Sequence, residues 1–487
     1  TMTRQQTSLP AVARASHTKI VATIGPATDS LESLTELIRA GVDVFRINTA
    51  HGTPDDHERM LGFARAAAEQ VGHPAAVLVD LAGPKIRLGE LSGGEVTLAP
   101  GDLVQFVRGD TTNESHQLVC SYETLIDELE PGDRVMLADG TVVLQVARTT
   151  SDAAECRVDQ GGTLRSRQGV NLPGVRLGTP SISDRDRSVA LWAAESRADF
   201  ISLSFVRTGD EVRELRDLVG EVSSEACIVA KIEKPEALEN LSEIVHAADA
   251  VMVARGDLGV EIDIARIAVV QKQIVHACRS AHKPVIIATQ MLDSMHDSRI
   301  PTRAEATDVA NAILDGADAC MLSGETAIGS YPVESVRMMH RIAMAPEPAD
   351  GRRTEDPTWH KDIPSDIPPI THAVTRSAAR IAEELEAELI VVASASGRSA
   401  LSISQTRTLV PTIGVSSSDQ TLRRMCLYWG VVPMPSTPMH DDQALLRFII
   451  DRGRQSGRLK PGDRIVLVPG TGLVSSRHNA IIVEEIR

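Results

Sequence analysis

The 487-residue chain carries 50 Lys and Arg against 66 Asp and Glu, a formal charge of -16, and only 2% aromatic residues. That charge repels nucleic acid and anionic membrane, no basic patch offsets it, and few rings are available on which bases could stack. With 42% hydrophobic residues the chain can fill several cores, about two or three domains at ~150 residues each.

Cys120, Cys156, Cys227, Cys278, Cys320 and Cys426 form no CxxC pair and mostly sit inside apolar runs, so they read as reduced core thiols. The first residues lack the roughly 7 to 15 apolar positions of a signal peptide, and no run approaches the ~18 needed to span a bilayer. The expected location is cytoplasmic.

From residue 18 short β-branched runs alternate with stretches of helical periodicity. The runs are "TKIVATIG", "VDVFRINTA", "AAVLVDLAGP" and, after an interruption, "FISLSFV", "CIVAKIE", "AVMVARGDL", "PVIIATQ" and "ACMLSG". Helices are expected between them, among others at "DSLESLTELIRA", "PDDHERMLGFARAAAEQ" and "PTRAEATDVANAILDG". Eight near-continuous apolar strands alternating with helices predict an α/β fold, a (β/α)8 TIM barrel over 1–88 and 186–346. The interruption, 89–185, has short alternating runs joined by Gly, Pro and Asp, with an Asp-Gly hairpin signal at Asp139 and Gly140. It reads as a small β domain inserted after the third barrel strand. Residues 347–370 are rich in Pro and charge and read as a linker; 371–487 alternate again and predict a C-terminal α/β domain. No internal repeat is expected beyond these units.

In such a barrel, function gathers where strands end. Here those ends are charged and polar: Arg46 and Asn48, Asp80, Ser204, Lys231 and Glu233, Arg255 and Asp257, Thr289, Ser323 and Glu325. Side chains alternate along a strand, so Lys231 and Glu233 share one face, and Pro235 suits the first turn of the next helix. An ion pair or a solvated rim would explain one such strand end; the repetition on neighbouring strands favours a site. Glu233 and Asp257 supply the sparse carboxylate set that Mg²⁺ accepts. Arg46 and Lys231, with Arg255 as a further candidate, supply fixed positive charge, and metal plus cation suits a transferring phosphoryl group. There is no P-loop, protein-kinase signature or zinc motif; "GTGLVS" at 470–475 reads as a turn, "SHTK" as a chance match, and "RGD" at 255–257 as a strand end.

"KIVATIGPATDS", "FRINTAHG", "DLAGPKIRLG", "VNLPGV", "AKIEKPEAL", "VMVARGDLGVEI", "IIATQMLDSM" and "SGRSALSIS" stand in one order that resembles the pyruvate kinase family from about residue 18 onward. The resemblance implies that the insert is a β-barrel lid and that the reaction is phosphoenolpyruvate plus ADP giving pyruvate plus ATP. It implies Lys231 beside the transferring phosphoryl group and Mg²⁺, with Mn²⁺ as the alternative ion, on Glu233 and Asp257. It further implies Arg46 as a phosphoryl clamp, Ser204 and Gly256 lining the site, and Thr289 by the methylene carbon that takes a proton. Asn48, His51 and Arg87 are expected on the nucleotide side, and a homotetramer is expected.

Many relatives build a K⁺ site where this chain keeps Asn48 and Asp80 but has Ala50, Leu81 and Lys85. Two oxygen ligands are lost and an ammonium gained, so Lys85 with Asn48 and Asp80 is expected to replace K⁺, which would then not be required. Ser394, Ser396, Gly397, Arg398 and Ser399 lie between a strand and a helix, either as a helix cap or as the phosphate pocket of a phosphosugar or nucleotide effector. A Mg²⁺-dependent 2-oxo acid lyase or aldolase and a catalytically silent regulatory homologue are the competing functions. Lys231 and the insert weigh against the first, and the intact Lys231, Glu233 and Asp257 against the second.

Overall fold

The eight apolar runs close into one parallel ring. A computed structural model describes residues 16–175, 178–350, 367–435, 437, 441–469 and 480–487. The barrel strands are Lys19–Thr23, Val44–Asn48, Ala76–Asp80, Phe200–Leu203, Cys227–Ile232, Ala250–Ala254, Val285–Ala288 and Ala319–Leu322, the first pairing with the eighth at Lys19 and Ala319. Period-two alternation divides their side chains. Ile20, Ala22, Phe45 and Ile47 pack outward against the surrounding helices, while Val21, Val44, Leu78, Val229, Met252, Ile286 and Met321 fill the interior. Continuing along the inward series, Val44 is followed by Arg46 and Val229 by Lys231. The interior is therefore apolar in its lower half and charged at its upper end.

The lower rim carries a repeat that was not anticipated. Asp43, Asp199, Asp249 and Asp318 each precede an even-numbered strand, each following Val or Ala. Each accepts the backbone N–H of the preceding strand: Ile20 at 2.7 Å, Val77 at 2.8 Å, Ile228 at 2.7 Å and Val285 at 2.8 Å. The C-terminal domain fastens onto this ring, with Arg423 Nε donating to Asp199 at 2.7 Å and Arg407 Nη2 lying 3.1 Å from Asp318. Cys426 and Leu427 plug the interior from below. Arg407 and Asp318 are almost wholly buried, and removing one partner of such a pair leaves an uncompensated charge. Arg407→Ala is expected to cost about 3–5 kcal/mol, read as a lower urea midpoint.

The insert is a six-stranded sheet in the order Val170–Asn171, Arg134–Leu137, Val142–Thr149, Ala153–Gln160, Leu103–Val107, Gln117–Leu118, with Glu95–Leu98 and Gly162–Arg165 paired beside it over a separate core. The expected hairpin lies between Leu137 and Val142; Ala138, Asp139 and Gly140 all have positive φ (51°, 53° and 84°). The C-terminal domain has five strands, ordered Val431–Pro433, Thr412–Val415, Leu389–Ala393, Arg464–Val468, Ile482–Glu485, the last antiparallel. The stretch read as a linker, 347–370, is helical at both ends: it opens on the helix Glu347–Asp350, and the helix Pro369–Glu384 begins within it. Glu347 accepts the N–H groups of His17 at 2.9 Å and Thr18 at 2.7 Å. Residues 351–366 and the 470–475 turn lie outside the described residues. Among the described residues, no helix is long and apolar enough to cross a membrane.

Candidate active site

The charged upper half of the barrel interior is one connected network. Asp80, at the top of the third strand, takes Arg46 Nε at 2.8 Å and Nη2 at 2.6 Å on Oδ2, and the Ser202 hydroxyl at 2.5 Å on Oδ1. Lys231 Nζ stands 3.3 Å from Asp80 Oδ1 and 3.1 Å from Glu233 Oε1, and donates to Ser204 Oγ at 2.7 Å. Ser204 in turn donates to the Leu81 carbonyl at 2.6 Å. Glu233 is anchored on its other oxygen by the Phe205 N–H at 2.6 Å. Ser202, two residues before Ser204 and on the same strand face, belongs to this network, and that spacing could have disclosed it.

Burial and charge pull these groups in opposite directions. Burial disfavours the Lys231 ammonium, yet Asp80 and Glu233 outweigh it and hold the lysine above its ordinary pKa. Burial likewise disfavours the Asp80 carboxylate, but Lys231 and Arg46 hold it ionised below the usual range. Glu233 goes the other way: burial and the Asp257 charge raise it despite Lys231. An anion destabilised by a second carboxylate is a place where a divalent cation is stabilising. Among the described residues no cluster of three or more His, Cys, Asp or Glu could cage a metal, so Glu233 and Asp257 suit an ion that keeps water or substrate oxygens as its other ligands.

Asp257 lies on the helix Arg255–Glu261 rather than on the strand before it. The Gly256 N–H there donates to Thr289 Oγ1 at 2.7 Å, and a Cβ on Gly256 would come 3.4 Å from that oxygen. Thr289 has φ 71°, which for a β-branched residue costs on the order of 1–3 kcal/mol. The surroundings hold it, since Arg255 Nη2 donates to its carbonyl at 3.0 Å. That bond and the pair with Asp308 at 2.7 Å engage the Arg255 guanidinium, so Arg255 supports Thr289 and supplies no cation to the site. Glu325 is similarly a brace, accepting the N–H groups of Leu292 at 3.0 Å and Ser323 at 2.7 Å.

Lys85 departs from expectation. Its Nζ donates to Asp257 Oδ1 at 3.0 Å, whereas Asp80 is engaged by Arg46, Ser202 and Lys231, and Asn48 Oδ1 accepts the Ala50 N–H at 3.2 Å. The side chain reaches across the metal-ligand candidate instead of filling a cation position between Asn48 and Asp80. It also lines, with Arg87, Asp139, Arg167 and Gly169, a cleft of about 290 Å³ beneath the insert. Arg87 is exposed there and donates to the Arg167 carbonyl at 3.2 Å. His51 is exposed at the rim, its carbonyl bonded to His57 Nε2 at 2.7 Å. Neither belongs to the network around Lys231.

In the C-terminal domain, Ser394 is buried and its Oγ accepts the Gly397 N–H at 3.0 Å, with Gly397 at φ 87°. Ser396 and Arg398 are exposed and Ser399 half-buried at the start of the helix Arg398–Ser404.

Two family models match this chain: the pyruvate kinase barrel domain over residues 15–336 and the pyruvate kinase alpha/beta domain over 372–484. The chain belongs to the pyruvate kinase family. It is 41% identical to the pyruvate kinase of Agrobacterium vitis, covering 93% of both chains. It is 40% identical to that of Geobacillus stearothermophilus over 93% of this chain and 77% of the relative. A crystal structure of a Cryptosporidium parvum pyruvate kinase superposes with a TM-score of 0.91 at 33% identity, covering 99% of this chain and 98% of that one. The closed eight-stranded barrel, the inserted sheet and the C-terminal α/β sheet are thus pyruvate kinase architecture.

Proposed function

We propose that the chain transfers the phosphoryl group of phosphoenolpyruvate to ADP, giving pyruvate and ATP, at the upper end of the barrel. The observation that carries this reading is the buried Lys231 ammonium held between Asp80 and Glu233, with the Asp257 charge acting on both Lys231 and Glu233. In this reading Glu233 and Asp257 hold Mg²⁺, or Mn²⁺ in its place. The ion would supply charge neutralisation for the phosphates and the forming enolate.

The residues of the chain do the rest. Lys231 stabilises the charge that spreads over the phosphoryl oxygens during transfer, in a buried setting where such an interaction is strong. Arg46, oriented by Asp80, clamps the same group from the second strand. Ser204 fixes Lys231 Nζ, and Gly256 lines the site beside the metal-ligand candidate, its N–H holding Thr289 Oγ1. Thr289 presents its hydroxyl to the methylene carbon, which gains one proton as pyruvate forms. Asn48, His51 and Arg87 take the nucleotide side, with the insert closing over it and excluding water. Pyruvate release from phosphoenolpyruvate, ADP and Mg²⁺ tests the reading. Absence of turnover would favour a silent homologue, and cleavage of a 2-oxo acid aldol would favour a lyase.

The finer readings are likewise proposals: K⁺ independence, a homotetramer, a cytoplasmic setting, and an effector phosphate on Ser394, Ser396, Gly397, Arg398 and Ser399. With Lys85 on Asp257, the fixed ammonium supports K⁺ independence by placing positive charge beside the metal ligand. Full activity is expected in buffers free of K⁺, and Lys85→Glu is expected to lower kcat about tenfold or more there, with recovery on adding K⁺. A strict K⁺ requirement of the unaltered enzyme would refute it. The effector reading fails if phosphosugars, nucleotides and free phosphate all leave the phosphoenolpyruvate saturation curve unchanged.

A further inference from the structure

The helix Arg255–Glu261 carries Asp257 near its start and ends on Glu261, about one turn later, so the two carboxylates occupy neighbouring positions on one helix face. The Glu261 side chain is only 1% exposed, and a buried carboxylate is costly unless it is paired. Its Oε1 accepts Lys234 Nζ at 2.7 Å. Lys234 is the residue after Glu233. The pair therefore ties together the two segments that bear the metal-ligand candidates, one residue beyond the first and one helical turn beyond the second.

A third side chain reaches the same oxygen from the insert. Asn171, on the strand Val170–Asn171, donates from Nδ2 to Glu261 Oε1 at 3.1 Å, although the two residues are 90 positions apart. The turn of the insert's hairpin meets the same helix end, where a Cβ on Gly140 would come 3.7 Å from Val260 Cγ1. Asn171 and Lys234 also line a cleft of about 40 Å³ with Pro84 and Ile86, where the chain runs into the insert, and with Val175 and Thr179, where it returns. The bridge thus stands at the hinge of the insert. Glu261 Oε2 and Asn171 Oδ1 are buried with no hydrogen-bond partner among the described residues. A fixed structural tie ordinarily satisfies its buried atoms, whereas these spare acceptors allow the contact to be remade as the insert moves.

We propose that Glu261 is a positioning residue: through Lys234 and Asn171 it couples the separation of Glu233 and Asp257 to the position of the insert. The proposal rests on the reading that these two carboxylates hold the divalent ion beneath a closing insert. An insert seated on Glu261 holds the carboxylates at the spacing the ion requires, and the ion in turn fixes the helix whose end Asn171 meets. By the reciprocity of linked equilibria, each favours the other.

Paramagnetic-resonance titration of the full chain with Mn²⁺ alone tests it. Glu261→Ala and Lys234→Met are each expected to weaken Mn²⁺ binding about tenfold, the size typical of losing a group that orients a metal ligand. Glu261→Gln, which keeps an acceptor oxygen for both donors, is expected to weaken it less. Lys234→Met separates positioning from charge, because deleting a cation beside the site would tighten Mn²⁺ binding if Lys234 acted through its charge alone. Tighter or unchanged binding in Lys234→Met would overturn the proposal. Glu233→Gln is the control: unchanged Mn²⁺ binding there would overturn the metal-ligand reading itself. Loss in Glu233→Gln with full affinity in Glu261→Ala and Lys234→Met would overturn the positioning role alone. Should the variants fail to fold, amide hydrogen exchange of the unaltered chain decides. Slower exchange across 134–149 and at Asn171 on adding Mn²⁺ supports the coupling, and identical exchange with and without the ion overturns it.

Discussion

Lys231→Met is expected to lower kcat about 10³-fold, the size typical of removing a cation from a transferring phosphoryl group. The side chain is buried, donates to Ser204, and stands within 3.3 Å of two carboxylates. Its removal has a second consequence. Glu233 would remain buried against the Asp257 charge with its chief counter-charge gone, and breaking a buried pair typically costs about 3–5 kcal/mol. Lys231→Arg should recover much of that stability and little of the rate, because a planar fork cannot place a point charge where Nζ lies. Steady-state kinetics and urea melts on both variants separate the two effects. Equal activity of Lys231→Met and the unaltered chain would remove Lys231 from the chemistry.

Glu233→Gln is expected to cut activity at fixed Mg²⁺ about 10²-fold, the equivalent of a few kcal/mol of charge stabilisation supplied through the ion. It should also change how Mg²⁺ affects stability. Because burial and Asp257 raise Glu233, the folded chain binds that proton more tightly than the unfolded chain. Without metal, this group therefore lowers stability as pH rises from the ordinary carboxylate value through its raised one. A bound divalent ion offsets that loss, so Mg²⁺ should raise the Tm at neutral pH and raise it less as pH falls toward the raised value. In Glu233→Gln the increment should be small at every pH. Thermal scans with and without Mg²⁺ across pH check this.

Much of this was readable from residues because strand periodicity alone orients side chains. Lys231 and Glu233 are two apart at the end of one strand, and Arg46 follows Val44 on the same inward series, so their convergence follows once the barrel is recognised. Arg255 shows where such reading stops. Its position beside Gly256 and Asp257 suggested a site cation, but it begins a helix, and its long side chain swings to Asp308, 53 residues away. Lys85 is a similar case: which carboxylate an ammonium reaches depends on how the insert sits over the barrel. The Asp repeat at the barrel floor was visible as Val or Ala followed by Asp before each even strand, yet its meaning appears only when the C-terminal arginines dock. The bridge at Glu261 has no local signature, since Asn171, Lys234 and Glu261 come from three separate segments.

The central claim is that Glu233 and Asp257 share one divalent ion facing Lys231. A crystal grown with Mn²⁺ and a phosphoenolpyruvate analogue, measured at the manganese edge, tests it most directly. One anomalous peak within about 2.3 Å of an oxygen from each carboxylate, with Lys231 Nζ turned toward the analogue's phosphoryl position, is the predicted result. A peak held by only one of the two carboxylates, or Lys231 turned away from it, would contradict the account.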